Sequence, residues 1–335
     1  MFVKFSIQGL LAGSILSLAL VGQSWAADLP GKNLKIAVVL KTLANPYWLA
    51  TQQGIEAKAK EIGATVTVQA GTDESAIDEQ TNMVQTMVGQ DFNCFIVAPI
   101  SNSNLIQPLV TAAKKNIPIV AGDAFDNDAL AAAGVKLATY VTVRHTDAGK
   151  AVAEEMVKRL GGKGKVALIG GLAGHPASIQ RLEGFRSGSG GLEIVQEQAA
   201  DWDREKALNA ADAILRANPD LKGFYAANDG MALGVQQAVN NAGLAGKVLV
   251  FGTDAIDDAL NSIEAGQMTG TAAQFPYLMG QTEVEACLAA SQGATIDPTT
   301  VAPQALITSE NIAAAKTSSP QPWFEYHSPI AKLIK

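Results

Sequence analysis

The chain has 335 residues, and its 25 basic and 32 acidic side chains give a net charge of −7. Nucleic acids and anionic lipids attract basic surfaces, so a chain this acidic is a poor candidate for binding either. The length exceeds the roughly 150 residues of one typical domain, and a hydrophobic content of 48% is ample for buried cores, so two lobes are expected.

Residues 1–26 predict a secretory signal. Lys4 and the amino terminus supply positive charge, and the apolar run from Leu10 to Val21 follows. This run is shorter than the about 20 residues of a membrane span. Ser24 and Ala26 are small residues at the two positions that a signal peptidase recognises, which predicts cleavage after Ala26 and a periplasmic location. An uncleaved anchor is the alternative.

The next part of the chain alternates predicted strands with helices. The predicted strands are Leu34–Leu40, Thr65–Ala70, Phe92–Ala98, Ile117–Ala121 and Leu137–Val143. The predicted helices span about 45–62, 74–88, 105–115 and 146–160. Asn45 and Pro46 form a typical helix start, with Asn as the N-cap and Pro at the first helical position.

The same alternation then restarts. The predicted strands are Lys165–Gly170, Glu193–Gln198, Gly223–Ala226, Val248–Phe251 and Met268–Ala273. A helix is predicted around Arg181, with others near 206–217, 230–241, 256–265 and 277–291. This alternation is typical of parallel sheets with right-handed crossovers, and the strands are too many for one compact sheet. The predicted fold is α/β with two doubly wound parallel-sheet lobes, followed by a polar surface tail over 317–335.

The two cysteines have no local signal for pairing. Cys94 lies in an apolar predicted strand and Cys287 in the middle of a predicted helix. We expect two buried thiols, with a disulfide as the alternative because exported proteins can form one. The histidines His145, His175 and His327 are scattered, so neither a metal site nor a cofactor is expected.

Polar and aromatic side chains gather where the predicted strands end, which is where ligands bind in open α/β sheets. Tyr47 and Trp48 are neighbours about 100° apart around a helix, so one can pack while the other covers a ligand. Packing of both rings under loops is the alternative. Further candidates at strand ends are Asp123, Arg181, Trp202, Asp203, Asn228, Asp254 and Gln274.

These planar polar groups can each bind two adjacent hydroxyls, and aromatic faces suit the C–H faces of a sugar ring. Arg181 is expected to pair with Asp123 or Asp254, because an unpaired buried charge is costly. For each residue alone, a capping or solvated role is the alternative. The glycines of residues 170–174 lack the G-x-G-x-x-G spacing of a nucleotide site.

Five segments in register, 41–48, 200–204, 227–234, 251–254 and 266–274, resemble the ribose-type periplasmic sugar-binding proteins. These are substrate-binding subunits of ABC importers, and the resemblance is strongest to the allose-binding members. It covers residues 33 to about 315 and implies a type I periplasmic binding protein-like fold with three hinge crossings, near 141–143, 274–275 and 303–305. The implied lobes are 33–142 plus 275–303 and 143–274 plus 304–316.

The resemblance also implies roles for single residues. The residues implied to stack against the sugar ring are Tyr47, Trp48 and Trp202. Those implied to bind the sugar hydroxyls are Lys41, Asn45, Asp123, Arg181, Asn228, Asp254 and Gln274, with Asp203 as a further contact. Ala124 stands where ribose-type and allose-type members carry a hydrogen-bonding residue, and Ala98 stands where ribose-type members carry Asn. The pocket is therefore not expected to be a ribose pocket, and a different hexose, a pentose or a polyol is open.

The function expected from this resemblance is capture of a neutral monosaccharide or polyol by a monomer that delivers it to an ABC permease. Two alternatives stay open. One is a sugar sensor that docks on a chemoreceptor or sensor kinase. The other is a secreted sugar-modifying enzyme in which Asp123 and Asp254 do acid–base work.

Overall fold

The computed structural model describes residues 29–335, and the predicted export signal lies outside the described residues. The strands are β1 (Lys35–Thr42), β2 (Thr65–Gly71), β3 (Cys94–Val97), β4 (Ile119–Ala121), β5 (Thr139–Thr142), β6 (Gly164–Gly170), β7 (Leu192–Ala199), β8 (Gly223–Ala226), β9 (Leu249–Asp254), β10 (Gly270–Ala273), β11 (Thr299–Val301) and β12 (Ala305–Thr308).

The helices between the strands are α1 (Pro46–Ile62), α2 (Ile77–Met87), α3 (Ile106–Lys114), α4 (Asn127–Ala132), α5 (His145–Leu160), α6 (Pro176–Gly188), α7 (Arg204–Ala217), α8 (Asp229–Asn241), α9 (Asp257–Glu264), α10 (Pro276–Ser291) and α11 (Ile312–Ser318). A 3₁₀ turn covers Ala331–Leu333. No helix within residues 29–335 has the length and apolar character needed to cross a membrane.

Residues 29–335 form two six-stranded sheets, and each defines a lobe. The first lobe has the strand order β11-β5-β4-β3-β1-β2, and the second has β12-β10-β9-β8-β6-β7. All pairings are parallel except that between β10 and β12. The predicted α/β fold with two doubly wound lobes is confirmed.

The chain crosses between the sheets three times within the described range. It leaves the first sheet after β5, returns after β10 and crosses again between β11 and β12. The short elements α4, β11, β12 and α11 were not predicted from the sequence. β11 and β12 have three and four residues, too few for hydrophobic periodicity to show, and they exist as strands because they pair with β5 and β10.

The expectation of two free thiols is wrong. Cys94 on β3 and Cys287 on α10 form a disulfide, with Cα atoms 5.8 Å apart and 193 positions between them in sequence. The loop that the disulfide closes contains five of the six strands of the second sheet, all but β12. The contact arises because α10 returns from the second lobe and packs on β3, and no local pattern around either cysteine encodes that return.

The expectation of a polar surface tail is only partly right. Ile330 is 2% exposed and belongs to the main hydrophobic core. Trp323 and Phe324 contact Phe275, with ring centroids 6.0 and 5.6 Å away. Gln321 donates a hydrogen bond to Gln281 on α10. The tail therefore packs on the second interlobe crossing and on a helix of the first lobe.

Candidate ligand-binding site

A cavity of about 50 Å³, partly open to solvent, lies between the lobes where the carboxyl ends of both sheets meet. Every site residue predicted from the sequence lines it except Asp203. The predicted residues that line it are Lys41, Asn45, Tyr47, Trp48, Asp123, Arg181, Trp202, Asn228, Asp254 and Gln274.

The first lobe contributes a buried ion pair. Lys41 Nζ at the end of β1 lies 2.6 Å from Asp123 Oδ2, just after β4. Asp123 Oδ1 also accepts a hydrogen bond from the backbone N–H of Ala124. Burial acts to raise the pKa of Asp123, but Lys41 and His175 together, through charge and hydrogen bonds, outweigh it and hold the pKa well below its usual value. Asp123 is therefore a carboxylate, able to accept hydrogen bonds from hydroxyls.

The second lobe contributes a cluster around Arg181 on α6. Its Nη1 donates to the carbonyl oxygen of Ala227 at 2.6 Å, and its Nε donates to His145 Nδ1 at 3.3 Å. The same Nη1 lies 3.8 Å from Asp254 Oδ1, which also accepts a hydrogen bond from Gln274. Of the two carboxylates considered as partners of Arg181, the structure places Asp254 beside it.

The pKa shifts in this cluster follow from burial. Burial and the Arg181 charge lower the pKa of His145 to about 3, so His145 is a neutral acceptor that orients Arg181. Burial raises the pKa of Asp254, Arg181 acts to lower it, and the nearby Asp229 carboxyl raises it further. Asp229 is fixed by hydrogen bonds from Thr271 and from two backbone N–H groups after β9.

Aromatic rings form walls on both sides. Tyr47 and Trp48 both line the cavity, with ring centroids 4.8 Å apart in an edge-to-face arrangement. One carboxylate oxygen of Glu74 accepts hydrogen bonds from Trp48 Nε1 and Asn45 Nδ2, each at 2.9 Å. Asn45 Oδ1 caps α1 through the backbone N–H of Tyr47. Asn45 and Glu74 thus hold the indole in place.

Trp202 forms the opposite wall. A side chain at Gly171 would overlap the indole ring, so the absence of a Cβ there makes room for it. This gives the glycine-rich segment 170–174 a packing role. Trp202 has a left-handed backbone, φ +63°. Other non-glycine residues with positive φ near this edge are Asp201, Asp254, Ala255 and Phe275. Such strain tends to collect at binding sites.

Asp203 lies outside the cavity. Its side chain caps α7 by accepting a hydrogen bond from the backbone N–H of Lys206 at 2.7 Å, and it is exposed. Asn228 combines both roles, because it caps α8 through Met231 and also lines the cavity. Ala98 and Ala124, the departures from related proteins, are not among the lining residues.

Sequence reasoning missed several lining residues. They are Glu74, Tyr140, Thr142, His145, His175 and Met279. Glu74, His145 and His175 follow strand ends or precede helices. The same position at a strand end identified Asp123, so extending the search for polar residues at strand ends to histidine and glutamate would have found all three. Tyr140 and Thr142 are strand residues, and Met279 lies one turn into α10, where no sequence signal separates lining from packing. Within the described range, no group of His, Cys, Asp and Glu could hold a metal ion.

The fold and the cavity together define a two-lobed solute-binding protein. Residues 36–295 match the family model described as the periplasmic binding protein domain, and the chain belongs to that family. It is 38% identical over 299 residues to the D-allose-binding periplasmic protein of Escherichia coli (strain K12), covering 88% of this chain and 94% of that protein. The predicted family resemblance is confirmed.

Two further comparisons agree. The chain is 31% identical over 278 residues to the ribose import binding protein RbsB of Bacillus subtilis (strain 168), covering 83% of this chain and 88% of the relative. A crystal structure of an ABC transporter periplasmic solute binding protein from Actinobacillus succinogenes 130z, with bound D-allose, matches with a TM-score of 0.80 at 33% identity. That match covers 84% of this chain and 99% of the other.

Proposed function

We propose that this protein is the substrate-binding protein of an ABC importer and binds one neutral monosaccharide or polyol between its lobes. The pairing of the cavity's charges carries the proposal. Lys41 pairs with Asp123, and Arg181 lies beside Asp254. The remaining acid, Glu74, accepts two hydrogen bonds from the protein. A charged ligand would have to compete with these internal partners, whereas neutral hydroxyls can donate to and accept from the same groups without adding charge.

The proposed ligand contacts come from both lobes. Tyr47 and Trp48 in the first lobe and Trp202 in the second cover the faces of the ring. The proposed hydroxyl-binding residues are Lys41, Asn45, Asp123, Arg181, Asn228, Asp254 and Gln274. Similarity to proteins that bind D-allose and ribose by name supports a sugar over other neutral solutes. Asp203 is retained only as a cap of α7.

Binding then couples to lobe closure. A ligand that contacts both lobes favours the closed arrangement, because only there are all of its contacts made. We propose that the moving bodies are 33–142 plus 275–303 and 143–274 plus 304–316, since these ranges follow sheet membership. Closure presents a paired surface of the two lobes to the permease. We propose that residues 1–26 are an export signal cleaved after Ala26, that the cycle takes place in the periplasm, and that the ligand is released chemically unchanged.

Thermal unfolding of the protein starting at residue 27 tests the proposal, using a panel of pentoses, hexoses, polyols and amino acids. A ligand at 100 times its Kd adds about 2.7 kcal/mol to the free energy of unfolding, which raises the melting temperature measurably. We expect one sugar or polyol to do so. Calorimetry then gives its Kd, and analysis of the recovered ligand checks that it has not been altered.

Two variants link binding to the cavity. Trp202→Ala and Asp254→Ala should each weaken binding at least tenfold, because each removes a wall or a hydrogen-bonding group. Asp220→Ala is the matched control: it also removes a carboxylate of the second lobe, in an exposed pair with Lys165. Normal affinity in both cavity variants would refute the site, and stabilisation by amino acids alone would refute the ligand class.

A further inference from the structure

We propose that His175 is a ligand-binding residue of the second lobe: its Nδ1 donates a hydrogen bond to a sugar oxygen, while its Nε2 contacts Lys41 and Asp123 of the first lobe. The proposal rests on the sugar-binding function proposed above. His175 lines the cavity and is 4% exposed. It was not predicted from the sequence, where it appeared as one of three scattered histidines.

The backbone aims this side chain away from its own helix. His175 occupies the N-cap position of α6, between Gly174 with φ +80° and Pro176, and its side chain makes no capping hydrogen bond. Its backbone N–H is held by the carbonyl oxygen of Leu172 at 3.0 Å. The ring stands edge-to-face against Trp202, with centroids 5.5 Å apart. The imidazole is therefore fixed on the wall formed by the second lobe.

From that wall the ring reaches the ion pair of the opposite lobe. His175 Nε2 lies 3.1 Å from Lys41 Nζ and 3.5 Å from Asp123 Oδ2. Lys41 and His175 are 134 positions apart in sequence and belong to different lobes. The three side chains thus meet across the cleft, so His175 can make this contact only when the lobes are closed.

The shorter of the two Nε2 contacts is the one with Lys41 Nζ, 3.1 Å against 3.5 Å to Asp123 Oδ2. An ammonium group only donates, so the proposal takes His175 Nε2 as the acceptor of this contact. A neutral imidazole that accepts at Nε2 carries its proton on Nδ1. That atom is buried and has no hydrogen-bond partner among the described residues. A buried, unpaired donor is costly, and a sugar oxygen that accepts from it would remove that cost.

This chemistry predicts a selective effect. His175 favours sugars that place an acceptor oxygen beside it, and it discriminates against an analogue that lacks that oxygen. A residue that only packs against Trp202 would instead affect all sugars alike. A selective loss of affinity therefore separates hydrogen bonding by His175 from a purely structural role.

The test uses His175→Ala and His175→Gln in the full mature protein, with His327→Ala as the matched control on an exposed tail histidine. The ligand identified by the thermal panel and its series of monodeoxy analogues are titrated by calorimetry. We expect His175→Ala to weaken binding of the parent sugar roughly tenfold, the loss of one hydrogen bond. We expect His175→Gln to recover part of it and His327→Ala to have no effect.

One deoxy analogue should show non-additivity. Wild type should bind it about tenfold more weakly than the parent, and His175→Ala should bind both with equal affinity, because the paired group is already gone. Equal weakening of every analogue by His175→Ala, or no weakening of the parent sugar, overturns the proposal. If wild type binds no sugar at all, the proposed function fails instead, so the two failures are distinct.

Discussion

At the scale of single residues, buried charges in this protein divide into paired and unpaired groups. Lys41 with Asp123 is a compensated pair at the cavity, whereas Arg181 lies 3.8 Å from Asp254, a carboxyl whose pKa burial raises to about 8. Glu283 on α10 is different: it is 1% exposed, and one of its carboxyl oxygens has no hydrogen-bond partner within residues 29–335. Burial raises its pKa to about 8. The side chain lies against the backbone of Gly122, behind the cavity wall.

Glu283 therefore predicts a pH dependence of stability. The unfolded carboxyl ionises near pH 4.5, whereas the folded one keeps its proton up to about pH 8. The unfolded state thus binds fewer protons in this window, so this group lowers the free energy of unfolding as pH rises from about 4.5 to about 8. Glu283→Gln removes the effect. The melting temperature of Glu283→Gln minus that of wild type should increase as pH rises from about 4.5 to about 8, and should level off above pH 8.

Melting curves at half-unit pH steps measure this difference between the two proteins. Comparison within one pH cancels the opposite contribution of His145, whose lowered pKa costs stability as pH falls below about 6.5. Glu205→Gln, an exposed carboxyl on α7, is the control and should show a flat difference. A flat difference for Glu283→Gln as well would mean that this carboxyl is solvated in the folded state.

At the scale of elements, close helix crossings position the site. Helices α5 and α6 meet at Gly149 and Gly184, where an added Cβ would overlap the carbonyl oxygens of Arg181 and Thr146 respectively. The backbones therefore touch directly. The crossing fixes the segment of α6 that carries Arg181, while the first residue of α5, His145, orients its guanidinium.

Gly149→Ala should accordingly reduce both stability and ligand affinity. The new methyl group pushes α6 away from α5, and overpacking of this kind costs about 1–3 kcal/mol. Because the displaced backbone belongs to Arg181, we expect ligand affinity to fall severalfold as well. Urea unfolding and calorimetry measure the two effects. Gly89→Ala is the control, since a Cβ there meets its nearest atom at an ordinary 3.5 Å. Unchanged ligand affinity in Gly149→Ala would mean that the α5–α6 crossing does not position the binding site.

At the scale of the whole molecule, the tail connects the two lobes beyond the three crossings. It leaves α11, where Lys316 of the second lobe pairs with Glu264. It then packs on Phe275 at the second crossing, and its last residue, Lys335, donates a backbone hydrogen bond to Gln292 at the end of α10. Phe275 directly follows the cavity residue Gln274, so the tail supports the hinge next to the site.

A chain ending at Ser319 should therefore melt at a lower temperature and bind its ligand more weakly. Truncation removes the buried Ile330 and the ring contacts on Phe275, and the ligand must then stabilise a looser hinge. Small-angle scattering without ligand should show a larger radius of gyration. Lys332→Ala, a change to an exposed tail residue, is the control. If truncation leaves melting, affinity and radius unchanged, the tail has no role in holding the lobes.

The sequence by itself determined the alternating elements, the two lobes and the cavity residues at strand ends. These features are encoded locally: hydrophobic runs define strands, Asn45 and Pro46 start a helix, and parallel strands place their carboxyl ends at one edge. Asp203 shows the limit of this reasoning, because a polar residue after a strand can serve equally as a helix cap.

The tertiary structure alone decided which distant residues meet. The Cys94–Cys287 disulfide joins residues 193 positions apart, and the contact of Lys41 with His175 joins residues 134 apart in different lobes. Glu74 similarly reaches Asn45 and Trp48 from the loop after β2. No periodicity or capping pattern records such pairings, because they form only when distant segments pack: α10 on the first sheet, the loop after β2 on the start of α1, and one lobe on the other.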